Sequence, residues 1–78
     1  MNNEQIEALN IIKEKAIAYI TICESLLYFE RNLGINDNIV KNFKNDIYKK
    51  YLEEYLEAKE TCNKLNIDSE YCNLLIKK

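Results

Sequence analysis

The sequence predicts an all-α protein: a long antiparallel helical hairpin with a short C-terminal third helix, one domain that dimerises into a helical bundle. Three observations predict it. The 78 residues include one glycine and no proline, whereas an all-β chain needs turn signals about every 8–12 residues. Two short segments, Leu33-Gly34-Ile35-Asn36-Asp37 and Leu65-Asn66-Ile67-Asp68-Ser69, each read as a helix stop followed at once by a helix start. Between them the apolar residues recur at helical spacing. A composition of 47% hydrophobic and 31% charged residues is that of a folded chain, not a disordered one.

The first helix is expected over residues 3–32. One of its faces carries Leu9, Ile12, Ala16, Tyr19, Ile20, Cys23, Leu26 and Leu27, and a second stripe runs through Ile11, Ala18, Ile22, Phe29 and Leu33. Together they span about 200°, against the roughly 100° that one packing partner requires. Ile11, Ala18, Ile22 and Phe29 are therefore expected to face a second copy of the chain. Association also suits a chain this small, because burial and ordering terms nearly cancel in such domains.

At the first stop, Gly34 suits the left-handed position after a helix. Ile35 is expected to fold back on Phe29, and Asn36 or Asp37 to cap the next helix. That second helix is expected over residues 38–64. Its core face at 100° steps is Val40, Phe43, Ile47, Tyr51, Tyr55, Ala58, Cys62 and Leu65. Tyr48, Leu52 and Leu56 form an i, i+4 row at the edge of the polar face, and an apolar row there suggests a partner site. At the second stop, Asn66 takes the left-handed position, Ile67 folds back on Cys62, and Asp68 or Ser69 caps a third helix over residues 69–78.

Composition narrows the chemistry. Histidine is absent, which removes Ser-His and Cys-His catalytic pairs. One glycine is too few for a phosphate-cradling loop. Cys23, Cys62 and Cys72 have no metal-binding spacing and read as reduced, buried small hydrophobes. No cofactor and no metal are expected. The N-terminal segment has no basic start of a signal peptide. The most apolar stretch, residues 16–29, is shorter than the roughly 18–20 residues that cross a bilayer. A cytoplasmic protein is expected. Ten lysines against one arginine fit AT-rich codons, hence a low-GC bacterium or one of its phages.

Charge is ordered along the second helix. Residues 37–52 carry +2 (four lysines against two aspartates) and residues 53–60 carry −3 (four glutamates against one lysine). The expected function is a small non-enzymatic protein that binds another protein as an inhibitor or regulator, of the immunity, antitoxin or anti-defence kind. Tyr48, Leu52 and Leu56 would anchor it, with Glu53, Glu57 and Glu60 steering. The alternative is a dimeric nucleic-acid-binding regulator using Lys41, Lys44, Lys49 and Lys50 on phosphates. The net charge of −2 weighs against it.

Overall fold

The computed structural model describes residues 2–74, and among these it is helical with no strand. Helix α1 (Asn3–Leu33) forms one arm. The second arm runs through α2 (Asn38–Phe43), a π turn (Lys44–Tyr48) and α3 (Lys49–Lys64). The backbone stays right-handed helical at both junctions, at Phe43 and Lys44 and again at Tyr48 and Lys49, so the arm is one continuous rod. The two arms pack as a long hairpin within 47 × 18 × 14 Å.

Each end of the rods has a local cause. The Asn2 side chain accepts the Gln5 backbone N–H at 2.8 Å, and the Gln5 side chain accepts the Asn2 N–H at 3.1 Å, the reciprocal capping box. Gln5 Nε2 also donates to the Leu65 carbonyl at 3.0 Å, so the cap of one arm closes the end of the other. Asp37 caps α2 by accepting the Ile39 N–H at 2.8 Å. At the end of α3, Asn66 takes φ +59°. The Ile67 N–H then donates to the Cys62 carbonyl at 2.9 Å, and the Asn66 N–H to that of Asn63 at 3.2 Å. This is the Schellman pattern, and it buries Ile67 beside Cys62 in the core.

The first stop is built differently. Gly34 has φ +86° but ψ 151°, a region open essentially to glycine alone. That ψ sends the chain away from α1 instead of back along it. Ile35, expected to fold onto Phe29, is 67% exposed instead.

The core seam of α1 is Ala8, Ile12, Ala16, Tyr19, Cys23 and Leu26. From Ile12 onward the steps alternate four and three, the heptad spacing that keeps one face toward a partner helix. Opposite it, Tyr48, Tyr51, Tyr55, Ala58, Cys62 and Leu65 repeat at three and four. Continued toward the turn, that register lands on Lys44 and Lys41. The π turn accommodates one extra residue, so Val40 and Phe43 meet α1 in place of the lysines. Val40 is 1% exposed, while Ile47, expected in the core, is 40% exposed.

The third helix differs from expectation. Ser69 does act as a cap, accepting the Tyr71 N–H at 3.1 Å, but the element it opens is a 3-10 turn, Glu70–Asn73, and Leu74 is already extended. The rest of the expected helix, residues 75–78, lies outside the described residues. The turn is tied to α3 by the Tyr55 hydroxyl, which donates to the Tyr71 carbonyl at 2.8 Å.

Candidate protein-binding surfaces

The row of Tyr48, Leu52 and Leu56 does not form a single outer stripe. Tyr48 and Leu52 are half-buried against the core. The Tyr48 hydroxyl shares a 3.2 Å hydrogen bond with that of Tyr19, and the Tyr48 ring lies 5.9 Å from the Tyr19 ring. Tyr19 in turn stacks on Tyr55 at 5.3 Å. The physical reason is again the π turn, which rotates Tyr48 into the seam. Leu56 alone of the three is exposed, on the acidic outer side of α3 with Glu53 and Glu60. Glu60 makes a 3.5 Å bridge to Lys64.

Glu57 belongs to a different place. With Ile11, Lys15, Glu54, Ala58 and Thr61 it lines a shallow groove between α1 and α3. Lys15 Nζ donates to Glu54 at 2.8 Å across that groove. The same hydrogen bond is the main reason the Glu54 carboxyl titrates below its ordinary value and the Lys15 ammonium above its own.

The stripe expected to face a second copy is partly used within the chain. The Phe29 ring meets Phe43 edge-on at 5.2 Å and Tyr28 at 5.9 Å, which joins the two arms near the turn. Ala18 and Ile22 are half-exposed and Ile11 is exposed. The flank thus stays open along its N-terminal two thirds.

The four lysines of the alternative reading are not gathered by any contact. Lys41, Lys49 and Lys50 are exposed and Lys44 is half-buried. Lys50 Nζ lies 5.8 Å above the Tyr51 ring of its own arm, and Tyr51 packs against the core, so it offers no free face for a base.

A further surface escaped the sequence reading. Ile39, Asn42, Phe43, Asp46 and Ile47 line one depression on the outside of the second arm. Ile39 and Ile47 are exposed, and so are Leu33 and Ile35 at the adjoining turn. Large apolar side chains thus collect at one end of the molecule. Spacing gave no signal for this surface, because Ile47 lies four residues after Phe43 and four before Tyr51, steps that an uninterrupted helix also allows. The extra residue of the π turn is what rotates Ile47 outward.

Among the described residues no group of three or more acidic, histidine or cysteine side chains could hold a metal ion. None of the described helices is long and apolar enough to cross a membrane. No known family, curated protein or solved structure matches this chain.

Proposed function

We propose that the protein acts without catalysis, by docking the turn end of its hairpin onto another protein as an inhibitor or regulator. The observation that carries this reading is the apolar surface of Ile39, Phe43 and Ile47 with Leu33 and Ile35 beside it. Apolar patches of this kind on small soluble proteins mark interaction sites more often than chance. Clustered large side chains are what partner pockets bind most tightly. Asp46, the charged residue lining the depression, favours a partner with a basic rim.

Self-association is a separate part of the reading. The open flank of Ile11, Ala18 and Ile22 is the surface on which a second copy would lie, and a hairpin pair of this type is a four-helix bundle.

The test is a patch with charge introduced. The double variant Ile39→Lys and Ile47→Lys replaces exposed residues and should melt within a few degrees of wild type. Both proteins, immobilised, are exposed to lysate of the cells that make the chain. The wild type should retain a partner in stoichiometric amount, and the double variant should lose it. If both retain the same partner equally, the turn end is not the docking site.

A further inference from the structure

Cys62 and Cys72 are buried together, one at the end of α3 and the other in the 3-10 turn folded against it. Several contacts fix the pair. Cys72 Sγ lies 4.0 Å from the Ile67 carbonyl oxygen, and the Ile67 N–H is bonded to the Cys62 carbonyl at 2.9 Å. The preceding residue, Tyr71, is held by the Tyr55 hydroxyl, one heptad before Cys62 on the same helix. Burial, and then the neighbouring Cys72 thiol within hydrogen-bonding reach, push the Cys62 thiol above its ordinary value. Cys23 is placed elsewhere. Cys62 Sγ donates to the Ala8 carbonyl at 3.6 Å, and Ala8 and Cys23 are about 22 Å apart along α1. The Cys23 thiol sits beside Tyr19.

We propose that Cys62 and Cys72 form a dithiol site that low-molecular-weight disulfides such as glutathione disulfide convert to an intramolecular disulfide, covalently pinning the C-terminal turn to α3. The exchange balances. The Cys72 thiolate attacks one sulfur of the small disulfide, forming a mixed disulfide and releasing one small thiol. The Cys62 thiolate then attacks the Cys72 sulfur and expels the second. The protein loses two hydrogens, and the small disulfide is reduced to two thiols.

Access comes from local opening. The turn is held by the Ser69 cap, the Tyr55 hydroxyl and the burial of Ile67 and Cys72, so it can detach without unfolding the hairpin. Cys72 leaves the core with it and reacts first. With the turn still detached, Cys62 is uncovered, ionises and attacks the Cys72 sulfur, and the turn folds back once the second small thiol has left.

The experiment treats the full chain with glutathione disulfide under native conditions, then alkylates remaining thiols and reads intact mass and peptides. The expected product has no disulfide between chains; each chain is lighter by two hydrogens and alkylated once, at Cys23, with a peptide linking Cys62 to Cys72. Its Tm should rise by on the order of 10 °C, because the closed ring restricts the unfolded chain, and dithiothreitol should return it. In Cys62→Ser the reaction should stop at a stable glutathione adduct on Cys72. Three alkylated thiols after prolonged treatment, or a crosslink that includes Cys23, would overturn the proposal. So would a Cys62–Cys72 crosslink that forms only in denaturant.

Discussion

Val40 and Ile47 are seven residues apart, a spacing that puts two side chains on one face of an uninterrupted helix. One is buried and the other exposed, so their substitutions should separate in stability. Ile12, fully buried in the seam of α1, calibrates the scale: Ile12→Ala should cost about 2–5 kcal/mol, while Ile47→Ala should stay under about 1 kcal/mol. Urea unfolding midpoints check both, and an Ile47→Ala loss as large as that of Ile12→Ala would place Ile47 in the core after all. Titrating groups give a second prediction at this scale. Burial pushes the Tyr19 and Tyr55 hydroxyls and the Cys62 thiol upward. A folded value above the unfolded one adds stability that is complete below the unfolded value and is lost as pH rises past it. Stability should therefore fall as pH climbs through about 9–10, with the last two of the six tyrosines ionising only together with the loss of helix. Complete tyrosinate absorbance reached while the helix is still intact would contradict this. The Lys15–Glu54 bridge acts at both extremes. The lowered Glu54 value makes its share disappear as pH falls through that value, and the raised Lys15 value makes it disappear as pH rises through the raised one.

The rods were legible in sequence because their ends are local chemistry. Asp37, Ser69 and Asn66 cap or stop helices through their own side chains or a left-handed backbone, and no distant residue needs to be known. Ile35 was less legible, because its path depends on ψ at Gly34, and glycine leaves ψ open. The π turn was missed for another reason. Uniform 100° steps along the second arm assume no extra residue, so they carried Ile47 into the core and Tyr48 out of it. The site reading inherited that slip at Tyr48 alone; Leu52 lies in α3, where the expected and observed registers agree, and is half-buried at the edge of the core. The extra residue itself makes a prediction about the element. Deleting Asn45 leaves Phe43 four and Val40 seven residues before Tyr48, the spacing of a continuous heptad on an ordinary α-helix. The deletion variant should fold with a Tm equal to or above that of wild type, because the weaker π hydrogen bonds are replaced by α-helical ones. Deleting Glu57 instead breaks the register inside α3 and should abolish cooperative melting. Equal damage from the two deletions in circular dichroism melts would refute the extra-residue account.

At the scale of the whole molecule the shape sets the problem. A compact monomer of 9.3 kDa exposes about 5,000 Å² on the usual mass scaling, whereas this chain exposes 5727 Å². Among the described residues the two rods lie side by side without a third layer, and the 3-10 turn packs at the end near the start of α1. The excess is comparable to the roughly 800 Å² that each partner contributes to a standard protein interface. Where that surface goes depends on which flank is covered. A second copy lying along Ile11, Ala18 and Ile22 would complete a four-helix bundle and leave the turn ends outermost, free to dock. A copy lying on the turn end itself would consume the proposed binding site. Light scattering from low micromolar to near-millimolar concentration separates these arrangements when three proteins are compared. The wild type should approach twice the 9.3 kDa chain mass, Ile11→Glu with Ala18→Glu should remain at the chain mass, and Ile39→Lys with Ile47→Lys should still dimerise. A wild type that stays at the chain mass throughout overturns self-association while leaving the turn-end reading intact. A turn-end variant that alone becomes monomeric would instead make that patch the contact between copies, and the search for another partner would have to move to Leu56 and the glutamates around it.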